Sequence, residues 1–225
     1  MDIKRKYDDD TPQNKKPKHM IMSNKKDEGH NSVEYYIKGT ELDIVDVATT
    51  TTKNHIYFYS SITRKTSVDL ISKLMIMDSD NVDYVRYSDN KLRPIHLHIL
   101  SEGGDIFTAL AIYENIKNLK SDVHCHVNGF VSSAAIIIML ACKVRDMSQY
   151  STLGIHSTKM SVWGKLQFLQ QCTDNYNKIW ELLEKFYENN TKLKKNKINI
   201  KDFMTKSQLI DAKTALKLGF ITHII

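Results

Sequence analysis

The sequence is short of the residues that staple, break or anchor a chain: 3 cysteines, 3 prolines and 8 glycines among 225 positions. Cys125, Cys142 and Cys172 are odd in number and irregularly spaced, which excludes a disulfide framework or a CxxC metal or redox pair and points to a reducing compartment. The most apolar run, Val131 to Cys142, is about twelve residues, below the roughly twenty that cross a bilayer. The N-terminus is charged where a secretory signal would be apolar. A soluble intracellular protein with no membrane partner is expected. The net charge of +6 raises the question of nucleic acid. Lys and Arg are spread along the chain, however, with the densest clusters at Lys15–Lys18 and Lys192–Lys197, and this pattern argues against such a partner.

What is present is an ordinary apolar fraction, 41%, enough for one domain with a full core. Residues 1 to 32 carry dense charge of both signs and no sustained period, the signature of a disordered charged tail. Within it Lys4-Arg5-Lys6 and Lys15-Lys16-Pro17-Lys18 are spaced like a bipartite nuclear-import signal, although a solvated tail is the simpler explanation. The folded domain is assigned to 33–225.

Two short β-rich runs, ELDIVDVAT and NHIYFYSSI, open that domain. A helix from Thr66 to Met77 follows, on Val68, Ile71, Leu74 and Met75, with Thr66 or Ser67 as N-cap. After the polar stretch DSDNVDYVRYSDNKLR, Ile95, Leu97 and Ile99 alternate in a strand that runs into Ser101-Glu102-Gly103-Gly104-Asp105. An amphipathic helix from Ile106 leads to a strand, DVHCHVNG, ending at Gly129, and then to the apolar helix VSSAAIIIMLAC. A break at KVRD, a short strand at TLGIH and a long helix from about Lys165 to Asn189 come next. Gln208 to Gly219 reads as a last helix capped by Gly219, before a terminal strand FITHII. Alternating strands and helices at this spacing imply a parallel sheet layered with helices. The long helix carries more apolar surface than one core-facing stripe needs, which calls for a partner helix or subunit.

The chemistry gathers where strands end. Ser132 and Ser133 lie where a strand passes into a helix N-terminus, where free amides and the helix dipole favour developing negative charge. An ordinary N-cap accounts for a serine there as well. Gly103-Gly104 would let an amide approach a substrate, and His156 closes a third strand. Three such features at carboxyl ends of strands coincide where α/β domains assemble their sites. His96, His98, His124 and His126 alternate along two strands and could pair imidazoles on one face. No carboxylate or cysteine stands at a matching spacing, so no metal is expected.

On these residues the chain resembles a known family. Residues 93–156 follow the proteolytic subunit of the Clp protease through its strand, glycine pair, Ala-Ile-Tyr helix, nucleophile helix and histidine strand, without a gap between Gly104 and Ser133. The resemblance implies an α/β fold, the layered ClpP/crotonase-like β-β-α superhelix with a handle helix at about 160–190. It implies Ser133 as nucleophile, His156 as general base, and the amides of Gly104 and Ala134 as oxyanion hole. Ser132 would have no chemical role. Glu102 stands where the family has Pro, and HSTKM where it has Gln-Pro and glycines. The family's triad Asp falls on Ser207, with Asp202 five residues before and Asp211 four after. Asp202 after a local shift, Ser207 or water, and an inactive site all remain open.

The resemblance further implies a serine endopeptidase that cleaves unfolded polypeptides through an acyl-enzyme, in stacked homo-oligomeric rings fed by an AAA+ unfoldase. It implies no cofactor, ATP being used only by that unfoldase. A non-catalytic Clp-like structural subunit and a crotonase-like acyl-CoA enzyme are the alternatives. The Lys-, Asn- and Ile-rich composition suits an AT-rich genome such as that of a large DNA virus. The expected location is cytoplasmic or host-cell intracellular, with a nuclear address if the basic tail is read as one.

Overall fold

The computed structural model describes residues 49–86, 91–157 and 162–225. The charged tail, its basic clusters and most of the first strand candidate lie outside the described residues. The elements are β1 (Thr49–Thr52), β2 (His55–Phe58), α1 (Arg64–Arg86), β3 (Ile95–Ser101), α2 (Ile106–Asn118), β4 (Val123–Ser132) and α3 (Ala134–Ala141). They continue as β5 (Val144–Met147), β6 (Thr152–Ile155), α4 (Leu166–Asn190), α5 (Ile200–Thr205), β7 (Gln208–Asp211), α6 (Ala212–Leu218) and β8 (His223–Ile224).

The sheet runs β1-β2-β3-β4-β5-β8, with β6 and β7 branching from β4. Its centre is parallel, as expected, while β1–β2 and β6–β7 are antiparallel. The branch is possible because β4 is ten residues long. Its first half pairs β5 and its last three residues pair β6. Gly129, at φ 114°, sits between the two halves. Alternation then builds the core. Ile56, Phe58, Ile95, Leu97, Ile99, Val123, Cys125 and Val127 are buried, as are the inward residues of α1 and α2. Every residue of α3 is buried, which is where a helix apolar on all sides has to go.

Several boundaries differ from the sequence expectation. Helix α1 starts earlier, because Thr63 and Thr66 cap each other: Thr66 N–H donates to Thr63 Oγ1 at 3.2 Å and Thr63 N–H to Thr66 Oγ1 at 2.9 Å. It also runs on through DSDNVDYVR, where no apolar period supports it. There Asp78 accepts from the Ser121 amide at 2.6 Å, and Asn81 donates to the Arg93 carbonyl and to Ser121 Oγ, both at 3.0 Å. The segment KVRD is not a break: Val144–Met147 is strand β5, secured by Arg145. That guanidinium donates to the carbonyls of Phe220 at 2.8 Å and Cys142 at 2.9 Å.

Strand β4 does not stop at Gly129 but continues to Ser132, and the helix after it starts at Ala134 rather than Val131. Gln208 to Gly219 is not one helix. Residues 208–211 pair with β6, and Asp211 caps α6 by accepting from the Thr214 amide at 2.7 Å. Gly219 closes α6 in the left-handed region as expected, at φ 79°. The long helix begins at Leu166. Only Leu183 and Tyr187 of it are buried, while Leu166, Phe168 and the preceding Trp163 (92% exposed) stand in solvent.

The sheet face away from α1, α2 and α3 is lined with imidazole. His55, His96 and His124 stand side by side in one row; Tyr57, His98 and His126 form the next, which continues to Asp146 and His223. His55 and His96 stack with centroids 4.6 Å apart, as do His98 and His126 at 4.7 Å, while His124 meets His96 edge-on at 5.5 Å. Burial first, and then the neighbouring imidazoles, pushes His96 and His98 down to about 4.

Candidate active site

Ser133 joins β4 to α3 with φ 54° and ψ −129°, a combination that costs on the order of 1–3 kcal/mol and persists only where the surroundings impose it. Here they do. The Ser133 N–H donates to the Gly154 carbonyl at 3.0 Å, and the buried Ser132 hydroxyl donates to the same oxygen, also at 3.0 Å. The Ser133 carbonyl accepts from Ile136 N–H at 3.0 Å, which starts the helix. Its side chain makes no capping hydrogen bond, so the ordinary N-cap explanation fails. The hydroxyl is half-exposed at a helix N-terminus whose first amide, that of Ala134, has no acceptor among the described residues.

The glycine pair lies directly against this turn. Gly103 and Gly104 have φ of 99° and 146°. A methyl at Gly103 would stand 2.7 Å from Ser133 Cβ and 3.0 Å from the Ala134 nitrogen; one at Gly104 would stand 2.3 Å from the Ile62 carbonyl oxygen. The loop is pinned on its far side, where Ile62 N–H donates to Gly103 O at 2.8 Å and Asp105 N–H to Ile62 O at 3.0 Å. The Gly104 amide is left without a protein acceptor among the described residues. Two free amides therefore flank the half-exposed hydroxyl's turn, the donor arrangement that stabilises an oxyanion.

His156 arrives on β6. That strand pairs with the end of β4, Ser132 opposite Gly154, so the histidine follows two residues beyond the carbonyl that fixes Ser133. It is exposed, and its Nδ1 donates to the Ser157 carbonyl at 2.9 Å. This bond leaves Nε2 as the basic nitrogen. No hydrogen bond joins His156 to Ser133 among the described residues. The β6–β7 ladder ends where Ile155 pairs with Gln208, and His156 and Ser207 each lie one residue beyond it. Asp211 pairs with Thr152, four residues up the strand, roughly 13 Å away at about 3.3 Å per residue. Asp202 lies in the first turn of α5, exposed, with no hydrogen bond or ion pair to His156. The structure thus brings together Ser133, the glycine pair, Ala134 and the His156 strand, and leaves both aspartates apart.

The model for the Clp protease family matches residues 39–225. The chain belongs to the Clp protease family. An ATP-dependent Clp protease proteolytic subunit from Bdellovibrio bacteriovorus is 22% identical over 74% of this chain and 76% of its own. Proteolytic subunit 2 from Borreliella burgdorferi is 29% identical over 59% of this chain and 67% of its own. A further proteolytic subunit, from Borreliella afzelii, is 22% identical over 87% of this chain and 96% of its own. The fold class is accordingly that of the Clp protease family, α/β with a mixed sheet and a long helix standing off the body, and at family level the chain is a Clp-type serine protease.

Two contributors to the site were not read from the sequence. Gly154 holds the strained turn through its carbonyl, and a methyl on it would stand 2.4 Å from Ser132 Oγ. Ser132, set aside as a neighbour, supplies the second bond to that carbonyl. A glycine two residues before the histidine was the available signal. Among the described residues no group of three or more His, Cys, Asp or Glu side chains could hold a metal ion, and no helix is long and apolar enough to cross a membrane.

Proposed function

We propose that this protein is a serine endopeptidase in which Ser133 attacks the peptide carbonyl. The observation that carries this is the conformation of Ser133: strained, uncapped, half-exposed and seated between the Gly103–Gly104 loop and an unpaired helix amide. His156 Nε2 takes the hydroxyl proton as Ser133 Oγ bonds to the carbonyl carbon, and the Gly104 and Ala134 amides receive the oxyanion. The proton passes to the leaving amine, and water then releases the acyl group from Ser133 with His156 again as base. No cofactor enters these steps.

The Ser157 carbonyl serves as the partner of His156 Nδ1, in place of the family's carboxylate. It fixes the tautomer, but a neutral carbonyl stabilises the imidazolium less than a carboxylate does, so turnover is slow. The exposed apolar residues around the start of α4 support assembly with further copies, as stacked rings. The relatives are named as subunits of ATP-dependent proteases, which supports an AAA+ unfoldase that consumes the ATP and delivers unfolded polypeptide. A second reading, a structural subunit without turnover, is favoured by one observation: among the described residues no carboxylate bonds to His156.

A fluorophosphonate probe with mass mapping decides the first reading. Labelling of Ser133, and peptide hydrolysis that Ser133→Ala removes by at least about a thousand-fold, are the expected results. Hydrolysis unchanged in Ser133→Ala, with no label at Ser133, overturns it. Assembly without either signal establishes the structural subunit.

A further inference from the structure

Ser101 is a polar side chain at a core position. Strand β3 turns Ile95, Leu97 and Ile99 inward, and the next inward position is this serine, 4% exposed. A hydroxyl withdrawn from water there has to find partners. It finds two: Oγ donates to the Ser60 carbonyl at 2.7 Å and accepts from the Gly103 amide at 3.2 Å. The first bond reaches the connection between β2 and α1. The second reaches the loop whose next amide, that of Gly104, has no protein acceptor among the described residues.

We propose that Ser101 is a positioning residue for the oxyanion hole: its hydroxyl braces the Gly103 amide against the segment 60–62 and so keeps the Gly104 N–H aimed at the reacting carbonyl. The inference rests on the serine endopeptidase reading of Ser133.

The aim of the Gly104 amide is set from behind. Ile62 N–H donates to the Gly103 carbonyl at 2.8 Å, and the Ile62 carbonyl accepts from Asp105 N–H at 3.0 Å. In a trans peptide the carbonyl and the N–H point in opposite directions. Anchoring the Gly103 carbonyl on Ile62 therefore turns the Gly104 N–H away from Ile62. That orientation lasts only while Ile62 and the loop keep their relative places. Segment 60–62 lies between β2 and α1 and is tied down by side chains: the Ser61 carbonyl accepts from Thr66 Oγ1 at 2.8 Å, and the Ser60 carbonyl from Ser101.

Both glycines have positive φ, and without side chains they offer little resistance of their own to rotation of the intervening peptides. The Ser101 hydroxyl supplies the restraint. It also decides which of the two glycine amides is spent, taking that of Gly103 and leaving that of Gly104. Ser101 pairs with Val131, two residues before the nucleophile, so the brace and the Ser133 turn are built on adjoining strand ends.

Kinetics of Ser101→Ala test this, with a peptide substrate and a fluorophosphonate that counts competent Ser133 sites. Removing an oxyanion donor outright costs roughly a hundred- to a thousand-fold in kcat, so a misaimed one should cost about ten-fold or more. KM should stay within about two-fold, because the bond concerned is made in the transition state. The rate of labelling per site should fall with kcat, and Ser101→Thr, which keeps the hydroxyl, should recover most of both. A serine that only supports the fold would lower the melting temperature and the number of labelled sites while each site worked at the wild-type rate. That result overturns the proposal and leaves the endopeptidase reading intact, whereas wild-type protein unlabelled at Ser133 removes both. Should Ser101→Ala fail to fold, amide exchange in the wild type decides: the Gly103 N–H should exchange about ten-fold or more slowly than that of Gly104, and equal exchange overturns the proposal.

Discussion

The two halves of the candidate site are built to different standards. Ser133 is over-determined: a buried strand end, two hydrogen bonds onto one carbonyl, a glycine in contact from below and a fully buried helix above it. His156 is exposed, follows the last residue of a four-residue strand and holds one bond, to its own neighbour's carbonyl. The first half stores strain and needs rigid surroundings to keep it. The second half can take up its working geometry on binding substrate, because catalytic contacts are often loose before the substrate arrives. The nucleophile turn and its base are therefore held by different physics, packing in one case and orientation in the other.

The largest effect is expected from breaking the rigid half. In Gly103→Ala the new methyl meets Ser133 Cβ, the Ser132 carbonyl oxygen at 2.8 Å and the Ala134 nitrogen, at a φ of 99° that alanine rarely adopts. Two of those three neighbours are backbone and cannot swing away. The cost is on the order of 3 kcal/mol from strain and overpacking together. Since a misplacement of about 1 Å can cost roughly a hundred-fold in rate, hydrolysis should fall by at least that factor. Thermal melting and a peptide assay measure both. A variant that melts and turns over like the wild type would mean that the nucleophile turn is no more constrained than its base.

The second effect sharpens the loose half. The paired ladder ends at Ile155–Gln208, with His156 and Ser207 each one residue beyond it, so Ser207→Asp is the substitution that sets a carboxylate nearest in register to the histidine. We expect kcat to rise about ten-fold or more with KM little changed, because the gain lies in stabilising the imidazolium formed in the transition state. Asp202→Asn is the counterpart and should leave kcat within about two-fold. A large loss in Asp202→Asn, without gain in Ser207→Asp, would make Asp202 the third member and the Ser157 carbonyl incidental.

The difference between the halves also explains what was legible in the sequence. Gly103-Gly104 before α2 and Ser133 before α3 could be read because local signals, a glycine pair and a small-residue helix start, coincide with the tertiary constraint. Helix α1 beyond Met77, strand β5 and strand β7 could not, because Asp78, Asn81, Arg145 and the β6 ladder hold them through contacts distant in the chain. The third triad position stayed open for the same reason: Ser207 and His156 flank the end of an antiparallel pairing, Ile155 with Gln208, whose register no local pattern announces. The imidazole face is the extreme case. Its alternation was visible, but Tyr57, His55, Asp146 and His223 join its rows from other strands, so its extent could be read only on folding.

The smallest effect concerns the join between the rigid half and the body. Asp105 follows the glycine pair and caps α2, its Oδ1 accepting from the Thr108 amide at 2.7 Å. That capping bond, aided by Arg64, holds its carboxyl below the usual carboxylate range. A carboxyl depressed in the folded state stabilises the fold at pH values above its ordinary unfolded range and loses that contribution as the pH falls through its folded value. Asp105→Ala should therefore cost about 1 kcal/mol at neutral pH, a Tm lower by roughly 2–4 °C for a chain of this size. The gap from wild type should close in strong acid, where the wild-type carboxyl is itself protonated. Asp105→Asn keeps a capping oxygen without the charge, so its melting temperature should lie between the two at neutral pH and lose less on acidification. A gap that persists undiminished at low pH would show that Asp105 acts through loop packing beside Gly104 rather than through its charged cap.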